Sequence, residues 1–255
     1  MIDICIHDSI GMGFDMTEPL GGSEVGLVLL AEGFRKAGYS VSFDLQECRA
    51  LIVSRYSDVP DVKSLRTVIY AADIYDARYE KHLHYPIQCV SDFQANWFRS
   101  QGFDARVIRP ILGKHVQRAS FRSDHWIYPC SVGKGLEATL RAWQEAPRCN
   151  LPLLVTTSGY DEPDPKMCED YGAQFVGKFS PHELAKEIAA SRGMFYRNTA
   201  EECFPMTVAI AQYCGLELDI QCMGHSKCGI EEAMRPQELG AECIIPQWLN
   251  FLGLT

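Results

Sequence analysis

The feature that most constrains the fold is an alternation, along the whole chain, of short apolar runs with longer amphipathic stretches. Runs such as 2–7, 87–90 and 193–196 have the length and composition of buried strands. Amphipathic stretches come between them, for example the one that starts at Ser23, a good helix cap, and stops at Gly38. Strands that alternate with helices predict βαβ units with parallel strands. We therefore predict an α/β fold.

A polar and basic segment, 114–124, interrupts this alternation near the middle of the chain. We interpret it as a linker between an N-terminal Rossmann-like domain (residues 1–113) and a C-terminal Rossmann-like domain (residues 125–255) that a C-terminal helix closes. The last apolar patches predict a closing strand at Ile244-Ile245 and a terminal helix over Trp248–Leu252. Each of these domains is long enough to bury a hydrophobic core.

Composition excludes several classes of protein. Hydrophobic residues make up 47% of the 255 and charged residues 22%, which is ordinary globular usage and not that of a disordered chain. No apolar run approaches the roughly 20 residues of a transmembrane segment. The 11 cysteines are odd in number and lack paired spacing, so they predict reduced thiols and a cytoplasmic protein.

The net charge of −9 hides a basic middle section. Residues 34–122 carry 14 Lys and Arg against 9 Asp and Glu. A solvated surface is one explanation of this excess. The other is a basic face that holds an anionic acceptor, such as a phosphate, a lipid head group or a nucleic acid. Because the chain as a whole is acidic, we do not predict general binding to nucleic acid.

Common catalytic and metal-binding motifs are absent from the sequence. It has no phosphate-binding Gly-x-x-x-x-Gly-Lys-Ser/Thr loop and no Gly-x-Ser-x-Gly nucleophile elbow. Cys222, His225 and Cys228 are spaced like metal ligands, but three ligands are fewer than the four of a structural zinc site. We predict neither a metal site nor a cofactor.

Three polar segments stand where predicted strands give way to predicted helices. Gly21 and Gly22 precede the first helix, where glycines let a backbone approach a ligand and a helix N-terminus favours an anion. Lys134 adds a cation at the equivalent junction of the second domain. Glu202 follows a predicted strand, at a sheet edge where a carboxylate can accept hydrogen bonds from sugar hydroxyls. Structural roles are equally good explanations of the two charged residues. Lys134 would be a surface residue in a turn, and Glu202 would be an acid that the dipole at a helix N-terminus favours.

Taken in order, these segments resemble the GT-B glycosyltransferases, in particular the retaining, nucleotide-sugar-dependent enzymes of family 4. Residues 19–41 resemble the opening glycine loop and first helix of that family, and 89–113 the last helix and strand of its acceptor domain. Gly133-Lys134-Gly135 matches its Lys-Gly motif, and 175–215 resembles its donor-binding core, with Glu202 at the first glutamate of the E-x7-E motif. The resemblance implies two Rossmann-like domains that face each other across a cleft.

The resemblance also implies a reaction, in which a sugar moves from a nucleoside-diphosphate donor to an acceptor hydroxyl with retention of configuration and without a metal. The implied catalytic residues are Glu202, which orients the donor sugar, Lys134, which binds the diphosphate, and Asp73. The residues implied in donor binding are Gly21, Gly22, Gly133, Lys134, Val176, Gly177, Lys178, Glu202, Phe204 and Pro205. The implied acceptor-binding residues are His7 and Arg109.

Departures from the family pattern keep other functions open. The second glutamate of E-x7-E falls at Ile210, and the arginine that usually precedes Lys-Gly is missing, so Lys134 acts alone or with Arg122 or Arg197. A family histidine falls at Ala72. The alternatives are a GT-B partner subunit without activity and a nucleotide-sugar epimerase. The acceptor is open among a glycan, a lipid-linked sugar and a modified nucleic-acid base, as are the donor's base and sugar and the oligomeric state.

Overall fold

The computed structural model describes residues 1–9, 14–73, 76–147, 150–157, 161–222 and 227–255. The elements of the first half are β1 (Ile2–His7), α1 (Gly22–Lys36), β2 (Val41–Ser42), β3 (Cys48–Ser54), β4 (Ser64–Ala71), β5 (Ile87–Cys89), α2 (Asp92–Ser100) and β6 (Ala105–Val107). Those of the second half are β7 (Trp126–Tyr128), α3 (Leu136–Glu145), β8 (Leu153–Thr157), α4 (Pro165–Asp170), β9 (Ala173–Lys178), α5 (Pro181–Ala190), β10 (Gly193–Asn198), α6 (Met206–Cys214), β11 (Glu217–Cys222), α7 (Lys227–Ala233) and α8 (Ala241–Leu252). Within these described ranges, no helix is both long and apolar enough to cross a membrane.

The strands of the first half form one parallel sheet, in the order β2-β1-β3-β4-β5-β6. The chain moves from β1 outward to β2 and then crosses to β3 on the other side, so the strand order reverses between β1 and β3. The central strands are apolar on both faces, because the oppositely directed side chains of the neighbours Leu51 and Ile52, and of Val68 and Ile69, are all fully buried. A parallel sheet covered by helices requires this pattern. The parallel α/β architecture predicted for this half is confirmed.

The strands of the second half form a second parallel sheet, in the order β11-β10-β7-β8-β9. Here the order reverses between β7 and β10. Aromatic rings fill the core, where the centroids of Trp143 and Phe195 are 4.9 Å apart and those of Trp126 and Trp143 are 6.2 Å apart. Open parallel sheets bind ligands at the carboxyl ends of their strands, where the order reverses. The second sheet therefore offers a binding position at the ends of β7 and β10.

Contacts along the chain divide it into two compact units. The first comprises Met1–Met12, Gly26–Gly113 and Gln237–Thr255, and the second comprises Gly13–Val25 and Lys114–Pro236. The C-terminal segment, Gln237–Thr255, thus groups with the first unit, whereas we predicted it as part of the C-terminal domain. The segment Gly13–Val25, which includes Gly21 and Gly22, groups with the second unit.

Helix α8 explains where the C-terminal segment lies. Its Trp248 ring stacks on Tyr70, with centroids 6.3 Å apart, and meets Phe34 edge-on at 6.4 Å. The hydroxyl of Tyr39 donates a hydrogen bond to the carbonyl oxygen of Leu254 at 3.1 Å. These buried aromatic contacts hold the segment against the first sheet.

The prediction of a closing strand at Ile244-Ile245 is wrong, because both residues lie within α8. The helix continues through Pro246, although a proline inside a helix removes one backbone hydrogen bond. Its buried residues recur at the spacing of one helical face, and this burial outweighs the hydrogen bond that the proline removes. Those residues are Ile244, Ile245, Trp248, Phe251 and Leu252.

The starts of other helices follow from local signals, although Ser23, the predicted cap of the first helix, lies inside α1, which begins at Gly22. Ser180 starts α5 with a full capping box, in which Ser180 and Glu183 each accept a hydrogen bond from the other's backbone amide. Ser91 likewise caps α2 by accepting a hydrogen bond from the amide of Gln94. The sequence did not predict α4, which begins inside the proline-rich loop where Asp164 caps its first turn.

Candidate functional site

Lys134 and Glu202 meet at the carboxyl ends of β7 and β10. Lys134 ends a single 3₁₀ turn, Val132–Lys134, that follows β7, whereas Glu202 lies between β10 and α6. The Nζ atom of Lys134 lies 2.6 Å from Oε1 of Glu202. The Glu202 side chain is 9% exposed and that of Lys134 is 40% exposed. The site therefore has a buried carboxylate and a cation that an anionic ligand can reach from solvent.

Gly135 explains how the turn reaches β10. Its φ is +109°, and a Cβ atom there would lie 2.1 Å from the carbonyl oxygen of Arg197. The hydroxyl of Thr139 donates to the carbonyl of Gly135 at 2.8 Å and accepts from the amide of Arg197 at 3.0 Å. Only glycine permits this backbone approach. The Lys-Gly pair thus places Lys134 directly at the end of β10.

The backbone beside Lys134 presents amide groups. A Cβ atom at Gly133 would meet nothing within 4 Å, so there is open space beside the Cα atom of this residue. Among the described residues, no side chain caps the start of α3, whose cap position is Gly135. The first amides of a helix carry partial positive charge and bind anions. This turn and helix start therefore combine a lysine with backbone donors, which is the donor set that a phosphate needs.

A buried polar layer lies under Glu202. The hydroxyl of Tyr128 donates to the carbonyl of Ser131 at 2.7 Å, and the Cys130 thiol lies 3.4 Å from the Thr207 hydroxyl. Burial raises the pKa of the Cys130 thiol to about 11. Burial, and then the charges of Cys130, Asp161 and Glu202, raise the pKa of Tyr128 well above its usual value. Both groups are therefore uncharged at neutral pH and add no charge to the site.

Comparison with known proteins tests the fold. No protein-family model matches the sequence, and no curated protein matches it either. Solved structures do match. Anabaena Alr3699/HepE, solved with UDP-glucose, has a TM-score of 0.67 over 100% of both chains at 12% identity. AviGT4, a glycosyltransferase involved in avilamycin A biosynthesis, has a TM-score of 0.65 at 12% identity, covering 99% of this chain and 97% of its own. A glycosyltransferase from Rickettsia africae has a TM-score of 0.53 at 9% identity, covering 91% and 82%.

The chain has the GT-B fold. At 9–12% identity the likeness establishes the fold alone, so the role of each residue depends on its own geometry. Within the GT-B fold, the pair formed by Lys134 and Glu202 lies in the second unit at the point where the strand order reverses.

Three of the residues implied in donor binding lie on the edge strand of the second sheet. Val176, Gly177 and Lys178 end β9, two strands from β7. Gly177 has a φ of +97°, and its carbonyl accepts a hydrogen bond from the Thr156 hydroxyl at 2.8 Å. Lys178 Nζ lies 3.6 Å from the Glu162 carboxylate. The segment is half-buried and turns at Gly177, and its role in donor binding stays a prediction.

Phe204 and Pro205 connect Glu202 to α6. Both are buried, and Pro205 occupies the cap position of the helix. Ile210, which stands where the family has a second glutamate, is also buried, at 8% exposure. The α6 face that carries Ile210 is therefore apolar and offers no carboxylate to a ligand.

The two arginines considered as helpers of Lys134 have other partners. Arg122 donates hydrogen bonds to the carbonyls of Cys214 and Gly215, at the end of α6. Arg197 is nearly buried and its guanidinium lies 2.9 Å from the Asp219 carboxylate. Both guanidinium groups hold elements of the second unit together. The geometry therefore favours Lys134 as a cation that binds an anion without help from these arginines.

The predicted residues of the first unit lie at or beyond the carboxyl ends of its strands. His7 ends β1, and Asp73 follows β4, which is two strands from β1 and so about 10 Å away. The backbone carbonyl of Asp73 accepts a hydrogen bond from Gln94 at 2.6 Å. Arg109 donates to the Val90 carbonyl and to the Asp92 carboxylate, the latter at 2.7 Å. Arg109 thus fixes the start of α2, and its role in acceptor binding stays a prediction.

The glycines of the first loop lie at the start of α1. Gly21 is buried, whereas Gly22 is exposed, with open space around a Cβ position. His225, which lies between Cys222 and Cys228 in the candidate metal motif, is outside the described residues. Across the ranges that are described, no group of three or more His, Cys, Asp or Glu is arranged to hold a metal ion.

Asp161 belongs to the site, although the sequence analysis did not select it. Its Oδ2 atom lies 3.5 Å from the Gly133 amide nitrogen. Its place in the sequence, shortly after β8, was a signal that could have identified it. Because β8 and β7 are adjacent parallel strands, the residues that follow them lie at the same edge of the sheet.

Proposed function

We propose that this chain is a retaining glycosyltransferase that moves a hexosyl group from a nucleoside-diphosphate sugar to an acceptor hydroxyl. The observation that carries the proposal is the 2.6 Å pair of Lys134 and Glu202, next to Gly133, which has open space beside its Cα atom. The family 4 resemblance assigns these residues to the donor. Two structures of similar fold are named as glycosyltransferases, and another was solved with UDP-glucose.

Lys134 serves the leaving group in this mechanism. When the nucleotide sugar binds, the ammonium group of Lys134 leaves Glu202 and contacts the diphosphate oxygens. The Gly133 amide and the first amides of α3 are further hydrogen-bond donors to the diphosphate. Charge that builds on the diphosphate as it departs is stabilised by groups already in place. We propose that no metal is needed, because these groups supply the positive charge.

Glu202 serves the sugar. Once Lys134 has turned to the phosphate, the buried carboxylate is left with acceptor capacity for donor hydroxyls. An acceptor hydroxyl that attacks from the face of the leaving group forms the new C1–O bond as the C1–O bond to phosphate breaks. The hydroxyl proton passes to the departing phosphate oxygen, so configuration is retained and no separate base is required. His7, Asp73 and Arg109 are proposed to align the acceptor.

A second candidate is a GT-B subunit without catalytic activity. Burial of Ile210 on an apolar helix face favours it, because the chain has no carboxylate there to hold the donor nucleoside. For either function we propose a cytoplasmic location, because the 11 cysteines are odd in number and lack paired spacing, which fits a reducing compartment.

The experiment that tests the proposal is a thermal-shift and calorimetry panel of UDP, GDP, ADP and TDP with their common sugars, with and without Mg²⁺. A ligand at 100 times its Kd raises the free energy of unfolding by about 2.7 kcal/mol, which is readily detected. We expect one metal-independent hit. A folded protein that binds none of these ligands contradicts the proposal and favours the inactive subunit. Conversion of the donor to an epimer without acceptor indicates an epimerase.

A further inference from the structure

Helix α7 packs against the loop that carries Glu202, and both belong to the second unit. The helix is anchored by Ile230 and Ala233, which are each 1% exposed. Where it passes the loop, its residue is Gly229. A Cβ atom at Gly229 would overlap the carbonyl oxygen of Glu202 and would lie 2.5 Å from that of Cys203. The backbones of the helix and the loop are therefore in direct contact.

Helix propensity does not explain this glycine. Inside a helix, glycine is less favourable than alanine because it loses more conformational freedom on folding. The φ of Gly229 is not positive, so its backbone conformation suits alanine equally well. A glycine inside a helix therefore calls for a packing reason. The contact with the loop supplies that reason, because every other residue has a Cβ atom that would enter the space of the two carbonyl groups.

The position of Glu202 depends on packing because hydrogen bonds do not hold its backbone. The loop is fixed at its start, where the side chain of Asn198 accepts a hydrogen bond from the amide of Ala200 at 2.6 Å. The amide of Thr199 also donates to the carbonyl of Lys134 at 3.4 Å. Across the part of the chain that the structure describes, the backbone of Glu202 itself makes no hydrogen bond. Its place is thus set by the surfaces that the loop packs on, and α7 contacts it directly.

We propose that Gly229 is a positioning residue, which lets α7 hold the Glu202 carboxylate in place beside Lys134. This inference rests on the proposed function, in which that carboxylate receives the donor sugar. A side chain at Gly229 must push the loop away, because backbone carbonyls cannot turn aside as the end of a flexible side chain can. A shift of about 1 Å lengthens the hydrogen bonds between the sugar and the carboxylate. Sugar binding should then weaken, while the diphosphate still reaches Lys134 and the first amides of α3.

The test measures the affinities of UDP and UDP-glucose by calorimetry on wild type and on Gly229→Ala. The variant should bind UDP-glucose about tenfold more weakly than wild type, the loss expected for one charge-assisted hydrogen bond. It should bind UDP, which has no sugar for Glu202 to hold, within about threefold of wild type. A crystal structure of the variant should show the Glu202 carboxylate displaced from Lys134.

Further variants separate positioning from general damage to the fold. Gly193→Ala also places a Cβ atom against backbone, 2.8 Å from the carbonyl oxygen of Glu217, but at the opposite end of β10 from the Glu202 loop. It should lower stability and keep both affinities within about threefold of wild type. In a Glu202→Ala background, Gly229→Ala should weaken UDP-glucose no further, because no carboxylate is left to position. If Gly229→Ala does not fold, Ile230→Val, which loosens α7 without a clash, should lose about threefold for UDP-glucose alone.

The outcomes separate this inference from the proposed function. If wild type binds UDP-glucose and Gly229→Ala, or Ile230→Val in its place, binds it equally well, the inference alone is overturned. It is also overturned if Gly193→Ala loses as much affinity, or if the loss persists in full in the Glu202→Ala background. If wild type binds neither ligand, a uridine donor is excluded and the crystal structure of Gly229→Ala decides. An unmoved Glu202 then overturns the inference, and a displaced Glu202 supports it.

Discussion

A Cβ atom at Gly135 would lie 2.1 Å from the carbonyl oxygen of Arg197, so the turn that carries Lys134 and the end of β10 touch through backbone atoms alone. Gly135→Ala must push these segments apart and must also force alanine into a φ near +109°. We expect the free energy of unfolding to fall by about 3 kcal/mol or more. Urea denaturation measures this loss.

The neighbouring glycine is the control for Gly135. Gly133→Ala adds the same methyl group where nothing lies within 4 Å and φ is not positive. Its stability should stay within about 0.5 kcal/mol of wild type. Equal losses in the two variants would show that the close approach to Arg197 does not constrain the turn.

Removal of Lys134 or Glu202 should stop the chemistry without unfolding the protein. Lys134→Ala removes the cation that receives the diphosphate, and Glu202→Ala removes the carboxylate that holds the sugar. Each should slow acceptor-independent hydrolysis of the bound nucleotide sugar by about 100- to 1000-fold, the usual cost of losing one stabilising group. Lys186→Ala, at an exposed position on α5, is the control for charge.

The double variant shows whether Lys134 and Glu202 act together. Because both contact one donor and each other, their losses should not add, and the double variant should be about as slow as the worse single one. Circular dichroism should match wild type in all three. Wild-type rates in both single variants would contradict the site.

The place of Lys134 and Glu202 in the fold was predictable, because it follows from local signals and topology. Each residue stands between an apolar run and a helix start, and the carboxyl ends of parallel strands share an edge. Asp161 stands in an equivalent place after β8, but its neighbours Glu162 and Pro163 read as loop composition. Composition describes what a loop is made of and does not indicate which sheet edge it joins.

The C-terminal segment was less predictable for a different reason. Pro246 in the sequence signals a break, and only the burial of Trp248 and its neighbours on one face keeps α8 continuous. The unit on which α8 packs depends on contacts with Phe34 and Tyr70, which lie far away in the sequence. Tertiary packing of this kind overrides local propensity, and no local pattern encodes it.

Trp248 should be a major contributor to the stability of the first unit. It is 2% exposed and contacts Phe34, Tyr70 and Phe251. Trp248→Ala removes these contacts and leaves a cavity, so unfolding should become easier by about 3–5 kcal/mol. Denaturation followed by circular dichroism measures it. Gln247→Ala, exposed on the same helix, should cost less than about 1 kcal/mol, and a similar loss for both would argue against this packing.

Arg122 should matter for stability and not for catalysis. It donates to the carbonyls of Cys214 and Gly215, which end α6 and lack partners within the helix. Arg122→Met should lower the free energy of unfolding by about 1 kcal/mol and leave the hydrolysis rate within threefold of wild type. A hundredfold slower rate at unchanged stability would show that Arg122 assists Lys134 after all.

His115 should make the stability of the second unit depend on pH. Its ring lies 4.8 Å from that of His182, at the start of α5, and burial together with this neighbour lowers its pKa below the usual value near 6.5. The unfolded chain therefore takes up the proton at a higher pH than the folded chain. As a result, the free energy of unfolding is highest above pH 6.5 and falls as the pH drops below it. His115→Gln should flatten this decline between pH 7 and 5, as measured by urea denaturation at each pH. His182→Gln should flatten it only partly, because burial still acts on His115. An unchanged slope in both variants would show that this histidine pair does not couple protonation to folding.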